Sequence, residues 1–572
     1  MHVRFKVIFI IFILLTISVI SRLFYWQVLE GGRIAALARA QQTGGQRLEA
    51  HRGNILDKSG SWLAASGDSW LLYASIPDLE NGAGMIAKLL APLFIDLESE
   101  TAKEDLLKET LRLENNINQP KVVWVPLKKR IDDEKRREIE ALGIKGLGFE
   151  TEEARVYPEG SSSAHLLGFV GKDEDGNDKG YFGLEGFYDL TLKARTGYQS
   201  TTANALGSPL VFGKKKRIDA VGGVDLITHI DKAIQLTVEE KLEEALVRYG
   251  AKSGTVIIMN PHTGGVLAMA SSPNYDQKTY YDFGDDLFRN PSISDSFEPG
   301  SVFKPIVMAA AFDAGVVKPD TVCDICDRFF KIDKYTIGTW DGKYYPNSTM
   351  IDVIKHSDNV GMVFAGQKLG IEKFRKYISD FGFGQITGID LEGESSPKLR
   401  GNGEWSMVDL ATSTFGQGIA VTPIQLIKAI SIIGNGGVSV TPQVVDKVKL
   451  GSWEEDVAPE LGDRVISEKA AREITEIMVL AVKEGEAKWA VPKGFKIAGK
   501  TGTAQIPVLG HYDEEKTIAS FVGYAPADNP KFTMLVTLRE PESSTWASET
   551  AAPLWFDIAL DIFPYLGVEP EK

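Results

Sequence analysis

Ser301-Val302-Phe303-Lys304 follows the turn-forming Glu298-Pro299-Gly300 and opens an apolar helical pattern, Val302–Ala314. In a helix, residues three apart share a face, so the serine hydroxyl and the lysine amine can meet. A serine is a weak nucleophile until a base takes its proton. Lysine serves as that base only when burial or a neighbouring cation lowers its pKa. Val302, Phe303, Ile306 and Val307 supply apolar surroundings, and Pro305 is tolerated in the first turn because its missing N–H is not needed there. Taken alone, the tetrapeptide fits an ordinary helix start with a solvent-facing lysine equally well.

Two later motifs change that balance. Ser357-Asp358-Asn359 lies inside the helical pattern Ile351–Leu369. Its outer residues can face one cleft only if the backbone turns there. Ser357 would then relay a proton, and Asn359 would bind a substrate amide or hold Lys304. The plain alternative is a capping cluster. Lys500-Thr501-Gly502-Thr503 sits in a strand-like run, Phe495–Ile506. Lys500 would attract a carboxylate, with Thr501 and Thr503 hydrogen-bonding it. Gly502 suggests close approach of a ligand to the backbone. The Thr503 and Ser301 N–H groups could form an oxyanion hole. The plain alternative is an edge strand with a bulge. Together the motifs equip an acyl-transfer site without histidine.

The surrounding pattern predicts the scaffold. Ile234–Tyr249 has helical spacing, while Thr255–Asn260 and Val266–Ser271 flank a Pro261-His-Thr-Gly-Gly265 turn and read as a hairpin. Thr517–Tyr524 and Lys531–Leu538 read as strands joined by Ala525–Pro530. Helices Ile371–Phe381 and Pro423–Gly434 add to the middle section. Strands at both ends with helices between predict one α/β (α+β) domain, an antiparallel sheet flanked by helices, over 224–566. Ala551–Leu566 reads as an amphipathic helix packed on that domain, with Asp557 and Asp561 on its wet face.

The chain has 572 residues and a net charge of −15, which argues against nucleic acid as a partner. His2, Arg4 and Lys6 precede the uncharged Val7–Ser21, and the apolar run resumes after Arg22 to Leu29. Counting Arg22 as snorkelling, the run is long enough to span a bilayer, with Tyr25 and Trp26 as interface residues. No small-x-small cleavage pattern follows it, so an uncleaved anchor over 7–29 is preferred to a signal peptide. The preceding charges put 1–6 in the cytoplasm and the rest outside. Between anchor and Gly223, Lys103–Asn115 and Asp132–Leu142 read as exposed helices, Asp173–Gly180 as a solvated turn without calcium-loop register, and Lys214–Arg217 as an exposed basic loop. Cys323 and Cys326, the chain's two cysteines, read as a local structural disulfide.

The three motifs in this order resemble those of class A β-lactamases and penicillin-binding proteins. Longer strings sharpen the resemblance to class B penicillin-binding proteins: His51-Arg-Gly-Asn-Ile-Leu-Asp-Lys-Ser-Gly60, Arg155-Val-Tyr-Pro158, Gly183-Leu-Glu-Gly-Phe-Tyr-Asp189, Phe297–Pro305 and Gly499–Gln505. The resemblance implies a penicillin-binding transpeptidase fold behind a β-rich, non-catalytic pedestal (dimerisation-like) domain over 30–223, with 567–572 as a tail. It implies a peptidoglycan D,D-transpeptidase with Ser301, Lys304, Ser357, Asn359 and Lys500 as catalytic residues and Thr501, Gly502 and Thr503 lining the substrate and oxyanion sites. No cofactor or metal is expected. Expected partners are peptidoglycan stem peptides, β-lactams as covalent inhibitors, the cytoplasmic membrane, and a polytopic glycan polymerase with other division proteins. Phe521–Pro530 and Asp295–Gly300 look more like the septal branch than the elongation branch. A β-lactamase would need a placed deacylating base that the sequence does not reveal. A sensor would need more than the six residues before the span.

Overall fold

A computed structural model of the chain describes residues 2–34, 43–48, 50–99, 101–202, 215–508 and 511–571. Contacts divide it into two compact units, Met1–Arg52 with Lys193–Gly223, and Gly53–Leu192 with Val224–Lys572.

In the first unit, helix His2–Phe24 runs on through a wider turn at Tyr25–Leu29. The 27-residue stretch Val3–Leu29 is apolar and long enough to cross a membrane. At 1.5 Å per residue it extends about 40 Å, more than the ~30 Å hydrocarbon core. The Arg22 guanidinium lies over the Tyr25 and Trp26 rings, at 5.6 and 5.1 Å. Thr43–Leu48, Gly197–Thr202 and Lys215–Ile218 form a three-stranded antiparallel sheet. The basic run expected as a loop is therefore a strand from Lys215 onward, and Lys214 lies outside the described residues. Pairing with Gly197–Thr202 satisfies backbone groups that a loop would leave to water.

In the second unit, a five-stranded antiparallel sheet carries the Lys500 motif. Its strands are β1 (Ser253–Met259), β2 (Val266–Ser272), β3 (Ala498–Val508), β4 (His511–Ala525) and β5 (Phe532–Arg539), in spatial order β2-β1-β5-β4-β3. Successive side chains in a strand point to opposite faces. Val256 and Ile258 accordingly enter one core, with Val238 and Leu242 of α1 (Lys232–Tyr249) and Trp555 and Phe556 near the chain's end. Ile257 and Met259 enter the other, with the helices of the middle section. Burial on both faces is why β1 reads as an unbroken apolar run from Val256 to Met259. Asp231 starts α1 by accepting from the Ala233 and Ile234 N–H groups, and Gly250, at φ +64°, ends it.

The middle helices are α2 (Lys304–Asp313), α3 (Met350–Lys355), α4 (Asn359–Leu369), α5 (Pro423–Gly434) and α6 (Glu468–Glu484), and α7 (Ala551–Leu566) closes the fold. α7 is amphipathic as expected: Trp555 is buried, while Asp557 and Asp561 lie 3.5 Å from Arg248 and Lys241. Cys323 and Cys326 are disulfide-bonded.

The stretch 53–192 builds on strand Trp62–Ser75, which pairs with Leu147–Val156 and Trp124–Ile131. Helices Ala102–Ile117 and Asp133–Ala141 fall where the charge pattern predicts them. Asp173–Gly180 is the tip and second strand of a hairpin. Ile55–Leu56 and Asp225–Thr228 extend the long sheet to Val445–Leu450. The fully buried Arg155–Glu185 pair (2.6 Å) and a Tyr188 hydroxyl donating to Asp390 (2.9 Å) bind this stretch internally and to the Asp390 loop.

Candidate active site

The nucleophile turn is held from behind. Gly300–Phe303 is a 3-10 turn that runs into α2, with Pro305 in the first helical turn. In a 3-10 turn, side chains three apart eclipse each other, so Ser301 and Lys304 share a side. Gly300 has φ +58° and donates its N–H to the Gly416 carbonyl (3.0 Å). A Cβ on Gly416 would lie 2.1 Å from the Gly300 carbonyl oxygen. The Glu298 carboxylate accepts from Gly418 N–H (3.0 Å) and the Tyr512 hydroxyl (3.0 Å). Burial pushes the Glu298 pKa up, against those two hydrogen bonds.

The helical pattern Ile351–Leu369 breaks where the second motif needs it to. α3 ends at Lys355, Ser357 sits at φ +56°, and α4 starts at Asn359. A left-handed serine is a locally costly conformation that surrounding contacts must hold. Here Ser357 N–H bonds the Ile354 carbonyl and Asp358 N–H the Val353 carbonyl. Asp358 caps α4, its Oδ1 accepting from Val360 N–H (2.8 Å) and Gly361 N–H (3.3 Å). The capping alternative thus holds for Asp358, while its neighbours face the lysine.

Lys304 is completely buried. Its Nζ donates to the Ser357 carbonyl (2.6 Å), Ser357 Oγ (3.1 Å) and Asn359 Oδ1 (2.8 Å). Asn359 is oriented in turn by donating Nδ2–H to the Gly338 carbonyl (3.0 Å). Burial, and next the Lys500 ammonium, hold Lys304 well below the ordinary lysine range, while Asp358 and Glu486 pull the other way. A buried lysine depressed in this way is neutral enough to take a proton. Ser301 is half-buried, and among the described residues its hydroxyl has no hydrogen bond.

Lys500 lies on β3, the edge strand, opposite Val522. Its Nζ donates to the Thr501 carbonyl (3.1 Å) and Thr501 Oγ1 (3.2 Å). The Thr501 hydroxyl donates onward to Glu486 Oε2 (3.2 Å). Burial lowers the Lys500 pKa and Glu486 opposes that shift. Thr503 Oγ1 accepts from Ala547 N–H (3.1 Å), so it also anchors the loop after β5.

Gly502 needs a correction. Sequence reasoning reserved the space beside it for a ligand, but the chain itself occupies it. A Cβ there would stand 2.8 Å from the Val302 backbone nitrogen and 3.2 Å from the Pro299 carbonyl oxygen. Glycine lets the edge strand press against the Ser301 turn.

Several neighbours escaped the sequence reading. Glu486 and Gly338 left no local signal. Gly416-Gln417-Gly418, with its paired glycines, was a findable one. Trp340 and Trp546 meet edge to face at 5.0 Å, and Trp340 Nε1–H donates to the His356 carbonyl (3.2 Å). They join the loop after the disulfide to the loop after β5. Among the described residues no three His, Cys, Asp or Glu side chains gather as a metal site.

The penicillin-binding protein transpeptidase domain matches residues 254–562. The chain belongs to that family. The penicillin-binding protein dimerisation domain matches residues 47–228. Stage V sporulation protein D of Bacillus subtilis is 32% identical over all of this chain and 87% of its own length. Peptidoglycan D,D-transpeptidase FtsI of Escherichia coli is 30% identical over 92% of this chain and 85% of its own. A peptidoglycan synthetase structure from Bifidobacterium adolescentis shares 27% identity at TM-score 0.71, over 93% of this chain and 98% of that one. Penicillin binding protein 2X from Streptococcus thermophilus has the same fold, at 23% identity and TM-score 0.72, over 92% and 83%. The chain is thus a class B penicillin-binding protein in sequence and fold.

Proposed function

We propose that this class B penicillin-binding protein is a membrane-anchored peptidoglycan D,D-transpeptidase whose nucleophile is Ser301. The observation that carries the reading is the buried Lys304 amine, hydrogen-bonded to Ser357 and Asn359 one 3-10 turn from Ser301. Lys304 takes the Ser301 proton as Oγ attacks the penultimate D-alanine carbonyl of a stem peptide. The C–N bond breaks, and the proton passes through Ser357 to the leaving D-alanine nitrogen. An amine of a neighbouring stem then attacks the ester, and its proton returns to Ser301 along the same groups. Lys500, Thr501 and Thr503 hold the terminal carboxylate. The Ser301 and Thr503 N–H groups receive the oxyanion. A β-lactam acylates the same serine.

The two family matches support 30–223 as the non-catalytic domain and 224–566 as the transpeptidase. The basic residues before Val7 support a cytoplasmic N-terminus and an extracytoplasmic catalytic domain in the cytoplasmic membrane. The septal-type strings at Asp295–Gly300 and Phe521–Pro530 support a division role beside a polytopic glycan polymerase, and the likeness to the E. coli FtsI protein supports the D,D-transpeptidase activity. The elongation branch is the second reading, and mid-cell against lateral-wall position of a fluorescent fusion separates the two. Activity is tested with the full chain in detergent, a synthetic peptide ending in D-Ala-D-Ala and an acceptor amine. Wild type should release D-alanine and Ser301→Ala should not. Equal release by both would contradict the reading.

A further inference from the structure

The mechanism above uses Lys500 as an anion receptor but does not explain how a buried ammonium stays charged beside a second buried lysine. A buried cation without a partner loses its proton. Five ionisable groups face this corner. Lys500 is on β3, Lys304 on α2, Lys355 at the end of α3, and Glu486 just past the end of α6. Lys355 is already engaged with Asp352 (3.2 Å) and Glu484 (3.7 Å). Asp358 faces Lys304 from the start of α4: its Oδ1 caps that helix, its buried Oδ2 has no hydrogen-bond partner among the described residues, and its charge acts on Lys304, whereas the charge that opposes burial at Lys500 is that of Glu486. That leaves Glu486 as the carboxylate available to Lys500.

The geometry fits. Glu486 Oε2 accepts from the Thr501 hydroxyl, whose oxygen accepts from Lys500 Nζ. Carboxylate, hydroxyl and ammonium thus form one chain on the inner side of the edge strand. A cavity of about 10 Å³ is lined by Lys355, Glu486, Lys500 and Thr501 together with apolar side chains from the end of α6 and from β4. That is close to the room one water needs, and the four polar side chains supply its partners. The site therefore has a route from Glu486 to Lys500 through the Thr501 hydroxyl, with a water-sized space beside it.

We propose that Glu486 is a positioning residue for the acylation reaction: through Thr501 it fixes the direction of the Lys500 ammonium and keeps that ammonium charged to receive the substrate carboxylate. The inference rests on the transpeptidase reading. Glu486 touches no reacting atom. Its negative charge also reaches Lys304, so its removal has a signed consequence at both lysines. Without it both amines lose their protons more readily. The acid limb of acylation, set by Lys304 becoming neutral, moves to lower pH. The alkaline limb, set by Lys500 losing its charge, moves the same way.

The test is the second-order rate constant for acylation of the full chain in detergent by benzylpenicillin, measured from pH 5 to 10. Wild type, Glu486→Gln and Glu486→Asp are compared, with thermal melting as a check on folding. The Gln variant should keep a bell-shaped profile displaced to lower pH by about 1, the size expected from a charge within a few ångströms. The Asp variant should restore the wild-type position. A Gln profile lowered at every pH but not displaced, or one superimposable on wild type, would overturn the proposal. Failure of the parent reading looks different, because wild type itself would then not be acylated at Ser301.

Discussion

The two lysines of the site share a side chain and a depth of burial, yet their surroundings divide the work. Lys304 lies among groups at the α3–α4 junction, with three acceptors within 3.1 Å, and the strongest charge acting on it is the repulsion from Lys500. Among the described residues Lys500 bonds its own neighbour Thr501 alone, and it has Glu486 as a counter-charge. Desolvation dominates both, but at Lys304 repulsion by Lys500 adds to it against the pull of Asp358 and Glu486, whereas at Lys500 Glu486 offsets it. Pairs of titratable groups pushed apart by environment mark the division between base and charged receptor. The lesson is that lysine identity says little until the partner on the facing element is known.

Three substitutions probe this contrast, taken from the largest effect downward, and a fourth probe lies outside the site. Lys304→Ala should slow acylation by benzylpenicillin about 10³-fold, the scale of a lost general base, read from the single-turnover rate at saturating drug. Lys500→Ala should cost about 10- to 100-fold, the worth of a charge-assisted hydrogen bond, and mainly in drug capture. It should also displace the acid limb to higher pH, because Lys304 loses the repulsion that keeps it neutral. Gly502→Ala should destabilise the protein by about 1–3 kcal/mol through the forced contact with Val302, read by denaturant melts, and should slow acylation while leaving the limbs in place.

The last probe leaves the site for the buried His165, whose Nε2 lies 2.9 Å from the Leu287 carbonyl. Burial lowers its pKa to about 4. The unfolded chain binds this proton near pH 6.5 and the folded one resists it, so stability falls as pH drops through that window. At pH 5 the loss should be about 2 kcal/mol relative to pH 7.5, and His165→Gln should remove that part of the dependence.

What was legible follows the range of the interactions. Ser301 and Lys304 were readable as a pair because one turn brings them together. The strands of the five-stranded sheet were readable because both faces are buried. The break at Ser357 was readable only as a condition, since no residue type in Ile351–Leu369 demands a left-handed position; backbone bonds to Ile354 and Val353 and the contact with Lys304 hold it. Glu486 and Gly338 were invisible because their roles depend on partners 15 and 21 residues away. The pairing of Asp225–Thr228 with Ile55–Leu56 and Val445–Leu450 spans still longer separations, which no periodicity records. Gly502 was noticed for the right reason, close approach, but assigned to the wrong neighbour.

The most direct test of the account is intact-mass analysis of the full chain in detergent after incubation with benzylpenicillin, with Ser301→Ala in parallel. The account predicts one stable adduct, mapped to the Ser301 peptide and absent from the variant. An adduct that persists in Ser301→Ala, or drug consumed by wild type without a stable adduct, would contradict it.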